Sequence, residues 1–134
     1  MNQSAPPLVT RSDRDGITSL ALNRPEALNA LSPSLFEELQ SHLTDIANRP
    51  DETGAVVLSG NGRSFSAGND LKAIEKGERA STPHQQAETL DFIERMPQPV
   101  IASVRGHCYT GALELVLACD LLICSDDARF CDTH

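Results

Sequence analysis

An α/β domain with parallel strands is the fold class that the sequence predicts, and two observations predict it. Strand-length apolar runs alternate with helix-period patterns along most of the chain. The run at 55–58 is apolar without interruption, as in a strand buried on both faces, and 100–104 reads the same way. With 134 residues, 40% hydrophobic and 22% charged, the chain can bury one modest core, so a single domain over 8–134 is expected after a disordered start at 1–7.

Each element has its own signal. Residues 8–12 and 17–23 read as a hairpin around the polar stretch that ends in Asp15-Gly16. Asn23, Arg24 and Pro25 break the second strand. Ser32-Pro33 then opens a helix in the favoured order, N-cap followed by proline at the first helical position. Leu35, Leu39, Leu43 and Ile46, with Phe36 and Ala47, mark its apolar stripe, and it ends near Asn48. After the strand at 55–58, the stretch 59–62 is glycine-rich and reads as a loop. Asp70 is placed to cap a short helix from Leu71, and 77–83 reads as a mobile segment. A further helix spans 84–96 through Ala87, Leu90, Phe92 and Ile93, and Pro97 with Pro99 stops it. The strand at 100–104, a turn at 106–110, a helix at 111–118 and a strand at 121–124 complete the order.

Composition excludes several function classes. The net charge of −8 and scattered basic residues argue against a nucleic-acid surface, and an anionic ligand would need locally placed cations. Cys108, Cys119, Cys124 and Cys131 show no C-x-x-C spacing, which indicates reduced, mostly buried thiols rather than a zinc site or disulfide framework. The histidines are dispersed, so no metal is expected. No apolar run is long enough to span a bilayer, and MNQSAPP does not look like a signal peptide, so the expected address is the cytoplasm.

Two short stretches carry the chemistry, SFSAGNDLK at 64–72 and GHCYTGALELVLACD at 106–120. Each sets a glycine-containing turn after an apolar strand and before a helix, so each can aim backbone N–H groups into a shared cleft. Converging N–H groups of Asn69 and Gly111 would form an oxyanion hole, with Gly68 allowing close backbone approach. Glu114 lies one helical turn beyond Gly111, and its neighbours Leu113, Leu115 and Val116 tilt it away from an ordinary solvated face. A carboxylate beside an oxyanion hole is equipment for stabilising an enolate and moving a proton at the adjacent carbons. An acid in a first helical turn also suits the macrodipole with no catalytic role. The run GNGR at 60–63 invites a dinucleotide reading, but position 65 is Phe where the third glycine would stand and no helix follows directly.

Together these segments resemble the crotonase, or enoyl-CoA hydratase/isomerase, superfamily. The likeness starts with LNRPEALNALS at 22–32, continues through VVLSGNGRSFSAGNDLK at 56–72 and closes with PVIASVRGHCYTGALELVLACDLLICSDDARF at 99–130. The resemblance implies a spiral of ββα units of the ClpP/crotonase type, here stopping before the C-terminal helical part. It implies an acyl-CoA thioester as substrate, with CoA belonging to the substrate and no separate cofactor. It also implies assembly as homotrimers or dimers of trimers. Asn69 and Gly111 match the family's oxyanion donors, and Glu114 its first catalytic glutamate. Glu26, Ala27 and Leu28, with the stretch Ser66, Ala67, Gly68, Asp70 and Leu71, match segments that contact CoA and pantetheine. Arg24 matches as a phosphate contact, or it simply caps the strand end.

The sequence departs from that pattern at one catalytic position. Hydratases of the family carry a second glutamate, and the matching residue is His134, whose neutral imidazole could accept a proton from water. The expected activity is addition of water across the 2,3 double bond of an enoyl-CoA. Two alternatives stay open: double-bond isomerisation by Glu114 alone, and an inert fragment that acts only in binding or assembly.

Overall fold

In a computed structural model the chain is described over residues 5–133. Most of the expected disordered start, and the whole of His134, therefore lie outside the described residues. Strands β1 (Val9–Arg14) and β2 (Ile17–Leu22) form the expected hairpin. Asp15 and Gly16, at φ of 53° and 80°, make the two-residue turn whose twist suits paired strands. A short 3-10 turn (Pro25–Ala27) leads to α1 (Pro33–Ala47), where the Ser32 side chain accepts from the Leu35 N–H as the sequence order promised. Strand β3 (Ala55–Gly60), α2 (Leu71–Glu75), α3 (Gln85–Arg95) and β4 (Val100–Val104) follow. The chain continues with β5 (His107–Tyr109), α4 (Gly111–Leu117), β6 (Leu121–Cys124) and β7 (Arg129–Cys131).

One sheet runs in the order β1-β2-β3-β4-β6, antiparallel at its hairpin and parallel from β2 onward. Its core face carries Leu20, Leu22, Val56, Leu58, Val100, Ala102 and Val104, in one cluster with Leu35, Leu39, Leu43 and Ile46 of α1 and Ile93 of α3. The other face departs from expectation. Ala55, Val57 and Ser59 of β3, and Ile101 and Ser103 of β4, are only half-buried, so neither strand is buried on both faces. Helix α3 also turns differently: Gln85, Thr89 and Ile93 are its buried positions, and Ala87 is exposed.

Two segments read as loop or turn are strands. Strand β3 extends through Ser59 and Gly60, because Gly60 lets the Ser64–Phe65 backbone cross over it. A Cβ there would lie 2.5 Å from the Phe65 carbonyl oxygen and 2.7 Å from that of Ser64. Residues 107–109 pair in parallel with β7, a second small sheet formed with a segment too short to carry a periodic signal of its own. The thiols also differ from expectation: Cys108 is buried and Cys119 half-buried, both pushed up to about 12 chiefly by burial, whereas Cys124 and Cys131 are exposed.

At the sheet's far edge, β6 exposes Leu121, Leu122 and Ile123, and Leu117 and Phe130 are exposed as well. An open edge strand with apolar side chains invites pairing. The isolated 134-residue chain is expected to run above its 14.5 kDa mass on size exclusion, and Leu121→Lys with Ile123→Lys, two positions on one face of the strand, should shift it toward monomer. A parent chain that is strictly monomeric at tens of micromolar would contradict this.

Candidate active site

The loop at 22–32 is built around Asn29, which is fully buried with φ of 53°. Its Nδ2 donates to the carbonyls of Asn61 at 2.9 Å and Ser64 at 3.0 Å, and its Oδ1 accepts the Arg24 N–H at 2.7 Å. Sequence reasoning did not single out Asn29, although an asparagine after a proline turn is the residue type that tolerates a left-handed backbone and satisfies several backbone groups. Ser66 Oγ continues the network, donating to Asn29 O at 2.8 Å and accepting the Gly68 N–H at 3.1 Å. The Ala67 N–H donates to Leu28 O at 2.9 Å. Leu28, Ser66, Ala67 and Gly68 thus belong to one hydrogen-bonded scaffold, while Glu26 stands exposed on the 3-10 turn.

That scaffold aligns the two glycine turns. Ser66 bridges Cys108 in parallel, with the Ser66 N–H on His107 O at 2.9 Å and the Tyr109 N–H on Ser66 O at 3.2 Å. Three residues onward along both chains, the register sets Asn69 beside Gly111. Their contact is direct: a Cβ at Gly111 would collide with Asn69 Oδ1. On its other side Asn69 bridges Leu31, through Leu31 N–H to Gly68 O at 2.8 Å and Asp70 N–H to Leu31 O at 2.9 Å. In such a parallel bridge the middle residue's own N–H points away from the partner segment, so that of Asn69 is directed away from Leu31. Gly111 is the first residue of α4, where backbone N–H groups lack intrahelical partners.

Gly68 makes this alignment possible. Its φ is +104°, and a Cβ would sit 2.8 Å from Tyr109 O and collide with Thr110 Oγ1. Thr110 itself was missed by sequence reasoning. It has φ 49° and ψ −109°, a sterically costly backbone for a β-branched residue, and it swings the chain from β5 into α4. Thr110→Gly should relieve that strain and stabilise the fold by about 1 kcal/mol, read as a higher thermal midpoint. A lower midpoint would show that Thr110 is held by favourable contacts instead.

Asn69 lines both cavities that hold the candidate residues. A pocket of about 340 Å³ is lined by Asn69, Pro83, His84, Gln86, Ala87, Leu90 and Glu114. Glu114 is half-buried on α4, and its Oε2 accepts from Gln86 Nε2 at 3.2 Å. A wider cleft of about 830 Å³ has Arg24, Ala27, Asp70, Leu71, Lys72 and Lys76 among its lining residues. Arg24 Nη1 lies 2.6 Å from Asp70 Oδ2 and 3.0 Å from Ala30 O, so the guanidinium is anchored to the loop it borders as well as facing the cleft. Burial would raise the Asp70 carboxyl, but hydrogen bonds from Arg24 and the Ala73 N–H, with the Arg24 charge, hold it below its ordinary value. Lys72 and Lys76 were not anticipated as site residues, although their spacing of four on a helical pattern puts them on one side. They are the local cations that an acidic chain would need for an anionic ligand.

A sheet that is parallel from β2 onward thus carries two adjoining glycine turns, with one acid lining the pocket beside them. The chain belongs to the enoyl-CoA hydratase/isomerase family, whose model matches residues 12–134. It is 38% identical over 129 residues to the probable enoyl-CoA hydratase echA8 of Mycobacterium bovis, covering 92% of this chain and 47% of that protein. It is 30% identical over 138 residues to the peroxisomal Delta(3,5)-Delta(2,4)-dienoyl-CoA isomerase of Arabidopsis thaliana, covering 92% and 49%. Among solved structures, an enoyl-CoA hydratase/isomerase from Xanthobacter autotrophicus Py2 superimposes with a TM-score of 0.86 at 35% identity, covering 94% of this chain and 49% of that one. The chain spans about half the length of the curated relatives it matches.

Proposed function

We propose that this chain supplies the oxyanion hole and catalytic acid/base of an enoyl-CoA hydratase. The thioester oxygen sits between the N–H groups of Asn69 and Gly111, which draw the π electrons of the 2,3 double bond toward it. Glu114 takes a proton from water as the new C3–O bond forms. The protonated Glu114 then delivers that proton to C2 of the enolate, which restores its carboxylate and completes the addition of one water. The thioester makes the enolate accessible, so this sequence of steps uses no metal or redox cofactor. The observation that carries the reading is the parallel register that sets Asn69 against Gly111, with Glu114 lining the adjoining pocket.

The wider cleft suits the CoA portion. Lys72, Lys76 and Arg24 supply positive charge for phosphates, and Ala27 and Leu71 supply apolar wall for the pantetheine arm. We assign Asn69 and Asp70, which line the cleft, and the exposed Glu26 next to Ala27 to the same contact surface, with the buried Ser66 and Gly68 supporting it from beneath. A cytoplasmic address and family-type trimers or dimers of trimers belong to this proposal as well. Among the described residues no helix is long and apolar enough to cross a membrane.

One observation favours a second reading. Glu114 is the sole carboxylate among the described residues lining the smaller pocket, and double-bond isomerisation needs one group to take and return one proton. Incubation with crotonyl-CoA and with a 3-enoyl-CoA separates the two. Loss of the conjugated thioester absorbance with crotonyl-CoA supports hydration, whereas conversion of the 3-enoyl substrate alone supports isomerisation. Binding of CoA thioesters without turnover of either would leave the inert binding role.

A further inference from the structure

One side chain links the oxyanion loop to the catalytic acid. Gln86, on the first turn of α3, accepts from Asn69 Nδ2 at 3.1 Å through its Oε1 and donates to Glu114 Oε2 at 3.2 Å through its Nε2. The direction of this chain is determined chemically. The amide's donor, Nε2, faces the Glu114 oxygens. That turns Oε1 toward Asn69, which must present Nδ2, leaving Asn69 Oδ1 against Gly111. A series of donors and acceptors thus runs from the acid to Asn69, whose side-chain oxygen packs against Gly111.

Packing does not require a glutamine at this position. The buried face of α3 is made by its neighbours: Gln85 Nε2 donates to Pro33 O at 3.1 Å, and Thr89 Oγ1 donates to Gln85 O at 3.0 Å. Gln86 is turned from that face into the pocket. An alkyl side chain would fill the same volume. What glutamine adds is one donor and one acceptor at the two ends of the same amide.

We propose that Gln86 is a positioning residue for the reaction described above, on which the proposal rests. It holds the Glu114 carboxylate toward the substrate and couples its orientation to Asn69, so the acid and the oxyanion loop are set together. Both hydrogen bonds are accessible to water in the open site, and both strengthen when bound thioester excludes it. The effect therefore falls on turnover more than on binding.

Gln86→Met keeps the length of the side chain and removes both hydrogen bonds. In the protein as its own gene encodes it, kcat for crotonyl-CoA hydration, or for isomerisation if that is the activity found, should fall about tenfold, with KM within about threefold. Gln86→Glu, which presents a second carboxylate to Glu114, should fall at least as far. In a Glu114→Gln background Gln86→Met should change residual kcat by less than about twofold, since the residue acts through the acid. Thermal midpoints should stay within about 2 °C of their parents, which a role in folding would not allow. Parental kcat in both single variants, an equal fold loss with and without Glu114, or a loss explained by a lowered midpoint would overturn the assignment. A parent protein that binds but does not convert either substrate would instead overturn the functional reading, and this one with it.

Discussion

Replacing Glu114 with glutamine is expected to lower turnover of an enoyl-CoA by at least about 100-fold and to leave thioester binding within about threefold. The expectation follows from what changes and what does not. The amide has nearly the shape of the carboxyl and can still present an oxygen to Gln86 Nε2, so the pocket keeps its form. It cannot take a proton from water. General acid/base catalysis by one positioned group is worth roughly 100- to 10,000-fold, so the loss should appear in kcat. Equal turnover by variant and parent would remove Glu114 from the mechanism and return it to its bland role as an acid in the first turn of α4.

Gly68→Ala has the second largest expected effect, and it acts on both stability and rate. At φ +104° an alanine is strained wherever it is placed, and here its Cβ also meets the Tyr109 backbone oxygen at 2.8 Å. Backbone cannot step aside as a side-chain tip can. The loop must move away from β5, which breaks the register that sets Asn69 beside Gly111. Destabilisation of about 2–3 kcal/mol is expected from the strained backbone and the overlap. Turnover should fall by about 100-fold, the scale of losing one oxyanion donor. Gly16→Ala, in the hairpin turn away from both cavities, is the control, since it also has positive φ (+80°) but no neighbouring atom within 4 Å. It should cost stability without a comparable loss of rate.

Much of this fold was legible because its signals are local. Asp15-Gly16, Ser32-Pro33 and the Asp70 cap each act within a few residues, and the structure uses all three as their chemistry dictates. The stripe on α1 was legible for the same reason. What the sequence hid depends on partners distant along the chain. Residues 107–109 become a strand only by pairing with 129–131, and Gly60 is a strand residue only because the 64–65 backbone crosses it. The burial of β3 and β4 was overstated because an apolar run does not reveal how much of the opposite face other elements cover. Arg24 had two readings in the sequence, a strand-end cap or a phosphate contact. Its bonds to Asp70 and Ala30 add a third role, as an anchor of the loop, while keeping it on the cleft wall.

The site shows the same division. Motif spacing marked Asn69, Gly111 and Glu114, since each stands at a turn or cap with its own local signature. Asn29, Thr110 and Gln86 left no such mark. Asn29 acts chiefly through two hydrogen bonds to carbonyls 32 and 35 residues along the chain, and Thr110 through a backbone angle that only the meeting of β5 and α4 imposes. Gln86 lies 17 residues from Asn69 and 28 from Glu114, beyond any helical or strand period. His134, the match to the hydratases' second glutamate, lies outside the described residues.

The two turns are expected to converge on one thioester oxygen. A crystal structure of the protein bound to a non-hydrolysable or slow acyl-CoA analogue measures this directly. The Asn69 and Gly111 backbone nitrogens should each lie about 2.7–3.1 Å from that oxygen, with a Glu114 carboxylate oxygen within hydrogen-bond reach of the water or carbon it serves. A thioester oxygen bound by neither nitrogen, or bound at a distance from the pocket that Glu114 lines, would contradict the account.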